Sequence, residues 1–189
     1  MHALLLSFAV IFLAELGDKS QLMALAFATR YPALPVLLGI TLATAVVHGL
    51  SVAAGSLLGA SLPTDTIEVA AGVAFVGFGV WTLRGDTLSA VEANRADRSN
   101  RSAVVAASTA FFLAELGDKT MLATMTLAAT EDPWGTWAGS TLGMVAADAL
   151  AIAAGHQLGA RLPERAVKAG AALAFFAFGA VLVVSGLRG

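Results

Sequence analysis

Long apolar runs separated by short polar breaks organise this chain. They fall at roughly 3–29, 34–60, 66–83, 103–130, 134–160 and 167–187. Proline, glycine or charge bounds each one: Arg30-Tyr31-Pro32, Leu62-Pro63-Thr64-Asp65, Arg84-Gly85-Asp86, Glu131-Asp132-Pro133 and Leu162-Pro163-Glu164. A helix needs about 20 apolar residues to cross the hydrocarbon of a bilayer. The pattern therefore predicts an all-α integral membrane protein of six transmembrane helices, with no room for a soluble domain of useful size. A cleaved signal peptide is the bland alternative for the first run. It is disfavoured because a basic leading segment is lacking and Glu15 and Asp18 interrupt the apolar stretch.

The pattern repeats at an offset of 100 residues. Phe12-Leu13-Ala14-Glu15-Leu16-Gly17-Asp18-Lys19 returns unchanged as Phe112-Leu113-Ala114-Glu115-Leu116-Gly117-Asp118-Lys119, followed by Ser20 and Thr120. Ala53-Ala54-Gly55 matches Ala153-Ala154-Gly155, Leu62-Pro63 matches Leu162-Pro163, and Phe75, Phe78 and Gly79 match Phe175, Phe178 and Gly179. The chain thus divides into a first repeat over 1–84, a linker over 85–101 and a second repeat over 102–189. Three spans per repeat is an odd number, so the second copy must enter the membrane from the opposite face, an inverted-topology pair of the kind many transporters use.

Loop charges set the expected orientation. One side carries Arg30, Arg84, Arg95, Arg98, Arg101, Arg161, Arg165 and Lys168; the other carries Arg188 and the amino terminus. The positive-inside rule makes the first side cytoplasmic. Both termini then face out, and the polar linker 85–101 faces in as a solvated segment with no chemistry assigned to it. Composition agrees with the helical reading: 58% hydrophobic and 13% charged residues, against about 25% charged in soluble domains. With no cysteine, disulfides, thiolate metal sites and iron–sulfur ligation are excluded. The net charge of −2 identifies no partner, and nothing points to nucleic acid.

Against that background the ionisable residues inside the runs stand out. Glu15, Asp18 and Lys19 lie near the centre of the first run, and Glu115, Asp118 and Lys119 near the centre of the fourth. One such charge at a helix centre costs about 2.5–3.5 kcal/mol on insertion scales, so six facing lipid would be prohibitive. They must face each other, water or an ion. Glu15, Asp18 and Lys19 share a face at i, i+3 and i+4. Ser20 lies about 140° from Glu15 on a straight helix and joins the site only if the helix breaks. Gly17, with Gly117 in the second copy, is the natural place for a break, which would also free backbone carbonyls as oxygen ligands. Gln21 and Met121 lie within about 60° of Asp18 and Asp118.

The second helix of each repeat adds a polar stripe: Thr41, Thr44 and His48, with counterparts Thr141, Met144 and Asp148. His48 reads equally well as a structural histidine. Asp148 points more strongly to function, because an unpaired carboxylate in hydrocarbon is costly. The third helices carry no ionisable residue between Val69 and Leu83 or between Ala169 and Leu187 and read as scaffold. Gly55-xxx-Gly59, Gly155-xxx-Gly159 and Gly139-xxx-Gly143 are small-xxx-small patterns that let helices approach closely.

Paired carboxylates make an oxygen-rich cage suited to a hard divalent cation such as Ca²⁺ or Mn²⁺. Five carboxylates (Glu15, Asp18, Glu115, Asp118, Asp148) and two lysines sum to −3 if all ionise, and a divalent ion brings this to −1. Without the ion, crowded like charges take up protons. Metal and proton then compete for the same oxygens, as antiport requires. Lys19 and Lys119 could pair with the carboxylates when no ion is bound, or hold the helices in register. Rival readings are an exporter of a small organic cation or amino acid, which wants a roomier and more aromatic pocket, a cation channel with an acidic ring, and an intramembrane hydrolase. Exact duplication disfavours the hydrolase, and the chain is read as a transporter and not an enzyme.

The doubled Glu-x-Gly-Asp-Lys-Ser/Thr motif resembles that of the Gdt-type cation transporter family, which has Golgi, chloroplast and bacterial members. The resemblance covers essentially the whole chain, and both copies match in full. It implies transport of manganese or calcium in exchange for protons, with the motif mapping onto Glu15, Gly17, Asp18, Lys19 and Ser20 and onto Glu115, Gly117, Asp118, Lys119 and Thr120. For a short, bacterial-looking chain it suggests manganese efflux across the plasma (inner) membrane. The expectation is a proton-coupled exporter preferring Mn²⁺ to Ca²⁺, working by alternating access as the repeats rock around a midplane site. Glu15, Asp18, Glu115 and Asp118 are the expected metal ligands. Lys19, Ser20, Gln21, Thr44, His48, Lys119, Thr120, Met121 and Asp148 are expected to support the site or couple protons. No cofactor beyond the transported ion is expected, and the protein is expected to work as a monomer or homodimer.

Overall fold

The computed structural model describes residues 1–84, 102–158 and 164–188, with side chains of the last two helices described to 154 and from 169. The linker 85–101, and with it Arg95, Arg98 and Arg101, lies outside the described residues, as do Gly159, Arg161 and the side chains of Arg165 and Lys168, so the Gly155-xxx-Gly159 pattern has no structural account. Eight helices occur in the described chain: α1 (His2–Glu15), α2 (Lys19–Ala28), α3 (Ala33–Ser61), α4 (Thr64–Arg84), α5 (Ala103–Glu115), α6 (Lys119–Thr130), α7 (Pro133–Leu158) and α8 (Glu164–Arg188). No strand is found among the described residues.

Four helices, α3, α4, α7 and α8, are each long and apolar enough to cross a membrane. The first and fourth apolar runs are instead each divided in two, at Leu16–Asp18 and Leu116–Asp118. Gly17 and Gly117 take positive φ, 75° and 80°, a conformation that penalises any residue with a Cβ. The outer surface is apolar. On α3, Leu34, Leu38, Leu42, Val46 and Leu50 recur every four residues, each at least half exposed. A continuous apolar ridge of that length suits lipid, while the polar residues Glu15, Asp18, Thr44, His48, Glu115, Asp118 and Asp148 are buried. The molecule is polar inside and apolar outside.

Glycine sets the helix spacing. A Cβ at Gly139 would sit 2.3 Å from Leu4 O, and one at Gly55 would sit 2.1 Å from Met125 O, so backbones touch there as small-xxx-small patterns allow. The sequence of close approaches also gives direction. Along α7, Gly135 meets Ala3 and Leu4, Gly139 meets Leu4 and Phe8, and Gly143 meets Phe8 and Phe12; α1 and α7 run parallel. Along α3, Gly39 meets Val104 and Ala107, Gly55 meets Met125 and Ala128, and Gly59 meets Ala129. The α5–α6 rod therefore runs parallel to α3. Between α4 and α8 the order reverses: Gly186 lies against Asp65 and Val69, and Gly72 against Gly179 and Val183.

Each broken rod thus packs on the second helix of the other repeat. The third helices clasp each other through Phe75, Phe78, Phe175 and Phe178, with Phe75 and Phe178 edge-to-face at 4.8 Å. Edge-to-face rings add to dispersion, and van der Waals packing is what drives helix association in lipid. These helices are the scaffold the apolar pattern predicted. Gly77 takes no part, since a Cβ there would meet nothing within 4 Å.

Candidate metal and proton site

The two helix breaks lie together in the interior. Each ends a helix at a glutamate and starts another just after an aspartate. Asp18 and Asp118 occupy the N-cap positions of α2 and α6, where an aspartate ordinarily accepts a backbone N–H of the first turn. Neither side chain does so here. Both reach across to the opposite repeat instead: Lys119 Nζ donates to Asp18 Oδ1, and Lys19 Nζ lies 3.3 Å from Asp118 Oδ1. These reciprocal pairs bind the breaks to each other. They are unequal in depth, with side-chain exposure of 16% for Lys19 and 3% for Lys119.

Between the pairs sit the glutamates. Glu15, Glu115 and Asp118 each present an oxygen, all within 4.8 Å of one another. The breaks turn the next hydroxyls inward: Ser20 donates to Glu15 Oε2, and Thr120 donates to Glu115 Oε2 at 3.1 Å. Ser20 could not have reached Glu15 on an unbroken helix. Glu15 Oε1, Glu115 Oε1 and Asp18 Oδ2 are buried with no hydrogen-bond donor among the described residues. Buried carboxylate oxygens without donors are costly, and a cation or protons would satisfy them. Asp18 stands outside the close trio, held by Lys119.

The other predicted residues divide between the two sides. Gln21 is buried, accepts from Gly17 N at 2.8 Å and donates to Ala147 O at 2.8 Å, tying the first break to α7. Its counterpart Met121 is half-buried and receives Gly117 N–H on its sulfur at 3.1 Å. Thr44 donates to the sulfur of Met144, its own counterpart in the other repeat, at 3.4 Å. His48 is buried, and Asp148 fully so; among the described residues, His48 Nδ1 and both Asp148 oxygens have no hydrogen-bond partner. Neither belongs to the trio. Asp148 is nonetheless close enough to Glu15, Asp18 and Glu115 for the charges to act on one another.

The sequence reading missed a set of buried hydroxyls. Ser7, Thr136 and Ser140 are fully buried with no partner among the described groups. The available signal was modest: small polar residues inside apolar runs, with Thr136 and Ser140 one helical turn apart.

Comparison with known proteins adds an independent line. The model of the divalent cation/proton antiporter GDT1 family matches residues 3–90 and 103–189. A Vibrio cholerae protein provisionally named a manganese exporter is 35% identical over 166 residues, covering 86% of this chain and 81% of its own length. A GDT1-like protein of Synechocystis is 32% identical over 190 residues, covering 91% of this chain and 92% of its own. The chloroplast protein PAM71 of Arabidopsis thaliana is 33% identical over 209 residues, covering 94% of this chain and 55% of its own. No solved structure matches the chain.

Proposed function

The chain belongs to the GDT1 family of divalent cation/proton antiporters, transporters and not enzymes, and from that premise we propose that it exports Mn²⁺ in exchange for protons. The observation that carries the proposal is the buried Glu15–Glu115–Asp118 oxygen cluster, set where two broken helices meet and flanked by crossed lysine–aspartate pairs. Four motif acids against two lysines leave a formal −2 when all ionise. One divalent cation, or two protons, neutralises that charge. Hard oxygen donors of this kind suit Mn²⁺ and Ca²⁺ alike. The name of the Vibrio relative favours manganese. The sulfurs of Met121 and Met144 already accept from Gly117 and Thr44, so they are not offered as ligands here.

In this reading Glu15, Glu115 and Asp118 hold the ion, and Asp18 joins them when Lys119 swings away. Ser20 and Thr120 orient the glutamates, and each lysine covers its aspartate while protons occupy the site. An inverted pair of six spans, each broken rod counted as one, is consistent with the packing directions: α1 runs with α7, α3 with α5–α6, and α4 against α8. Repeat-equivalent residues meet at Glu15 with Glu115, Thr44 with Met144 and Phe75 with Phe175, as a twofold axis through the site would require. The excess of positive loop charge on one side supports a topology with both termini outside and the linker in the cytoplasm of a bacterial-type plasma membrane.

The test is metal uptake into proteoliposomes under an imposed pH gradient, with Mn²⁺ and Ca²⁺ side by side. Saturable Mn²⁺ movement that collapses with the gradient is expected. Non-saturating, gradient-independent flux would indicate a channel, and no movement of either ion would turn attention to organic cations.

A further inference from the structure

The two halves of the ion site are carried by different helix groups. Backbone contacts at Gly135, Gly139 and Gly143 seat α7 on α1, and Gln21 Nε2 donates to Ala147 O at 2.8 Å. The first break is thereby tied to α7. Contacts at Gly39, Gly55 and Gly59 seat α3 on the second rod, and Ser108 Oγ donates to Gly39 O at 3.1 Å. Glu15 therefore belongs to one group, and Glu115 and Asp118 to the other. Away from the motifs, two side-chain hydrogen bonds cross between the groups, both joining α3 to α7. Thr44 Oγ1 donates to Met144 Sδ at 3.4 Å, and Trp137 Nε1 donates to Ala45 O at 2.9 Å.

These two bonds are not alike. Thr44 and Met144 are repeat-equivalent, so their contact lies at the twofold axis and favours neither face. Trp137 lies off that axis, about two turns toward the Pro133 end of α7. The residues equivalent to Trp137, Ala45 and Gly49 are Leu37, Val145 and Ala149, on the other side of the axis. Ala45 and Gly49 leave room for the indole, whose nitrogen would lie 3.7 Å from a Cβ at Gly49. Leu37 has no side-chain N–H, and Val145 and Ala149 are each larger than their counterparts. The α3–α7 contact is thus tied by an indole on one face and not on the other. A tryptophan near a helix end is commonly an interfacial anchor with its N–H among the headgroups. Trp134, 78% exposed, fits that role. Trp137 does not: it is half-buried, and its N–H, which can only donate, is spent on a backbone carbonyl of the opposite group.

We propose that Trp137 is a positioning residue for the exchange, a latch that holds the α3–α7 contact shut on the Pro133 side and sets how often the ion site opens there. The proposal rests on the exchanger reading above, in which that side is the outer face. Alternating access requires the two groups to part at one face while they stay together at the other. Parting at the Pro133 face breaks the bond from Trp137 to Ala45. Parting at the opposite face leaves it intact. The bond therefore distinguishes the two states, as any contact that biases an equilibrium must. The crossed lysine–aspartate pairs also join the groups, but they do so at the ion site itself and from both repeats.

Two variants separate the hydrogen bond from the bulk of the ring. Trp137→Phe removes the N–H and keeps an aromatic ring, and Trp137→Leu copies the other repeat. KM for Mn²⁺ is measured in proteoliposomes with the metal presented to each face in turn. One hydrogen bond inside a membrane shifts an equilibrium by about three- to tenfold. KM at the Pro133 face should fall by about that factor in both variants, because apparent affinity follows the fraction of protein open to that side. KM at the opposite face should change by less than about twofold, since the latched state already dominates. Equal loss of maximal rate at both faces, with both KM values unchanged, would make Trp137 a packing residue and overturn the latch. Parental KM values in Trp137→Phe would overturn it too. A distance measurement reads the same claim without transport. The chain has no cysteine, so spin labels at Leu58→Cys on α3 and Trp134→Cys on α7, both exposed positions, report the gap on the Pro133 side. Trp137→Phe should add a population at longer distance, and an unchanged distribution would contradict the latch. A parent that moves no Mn²⁺ while the labels still respond to Trp137→Phe would overturn the exchanger reading and leave the latch standing.

Discussion

The two motif copies are identical from Phe12 to Lys19 and from Phe112 to Lys119, yet they sit in unequal surroundings. Both break at a positive-φ glycine, both turn a hydroxyl onto a glutamate, and both send a lysine to the other's aspartate. The first break is clamped to α7 by the amide of Gln21; the second rests on the thioether of Met121, with Leu116 and Gly117 exposed. What is shared defines the proposed ion site. What differs lies one layer out, where the exchanger must tell its two substrates and its two faces apart.

The comparison breaks most severely at the glutamates. Glu15→Gln and Glu115→Gln should each reduce Mn²⁺ flux by ~100-fold or more, since even outer-shell changes at metal sites cost about 10–100-fold. A large loss in one and a small loss in the other would end the idea of a shared site. Next come the lysines. Lys119→Met strands Asp18 in the interior and should cost about 3 kcal/mol, the range for breaking a buried ion pair. Lys19→Met should cost less, because Lys19 is partly exposed and its pairing is screened. Thermal unfolding in detergent would rank the two, and equal shifts would contradict the difference in depth.

Smaller effects sharpen the picture. Gly17→Ala and Gly117→Ala should each cost about 1–2 kcal/mol from the left-handed backbone alone. A Cβ at Gly117 meets nothing within 4 Å, so there the conformational term stands by itself. Gln21→Met makes the first break like the second and removes the contact to Ala147 O. The loss should be about 1 kcal/mol, typical of one hydrogen bond, and hydrogen exchange should show faster opening at the amino-terminal end of α2.

Much of this was legible in the sequence, for a definite reason. Helical angles say which residues share a face, so the mismatch between the positions of Ser20 and Glu15 on a straight helix makes a break at Gly17 readable from the sequence. The apolar runs gave the long helices to within a few residues. Helical angles do not say which face meets which helix. The crossed pairing of Lys119 with Asp18, the lodging of α1 on α7, and the separation of Asp18 from the close trio are tertiary facts with no periodic signature. Ser7, Thr136 and Ser140 were overlooked because single hydroxyls are common in membrane helices. Only their burial, and the apolar Ala107, Val36 and Ile40 at the equivalent positions of the other repeat, set them apart.

The central claim is that both motifs build one ion site, and equilibrium Mn²⁺ titration of the purified protein tests it most directly. The account predicts one Mn²⁺ per chain in the parent, with binding lost in both Glu15→Gln and Glu115→Gln. Two ions per chain, with each variant retaining one, would mean that the copies bind separately and would contradict it.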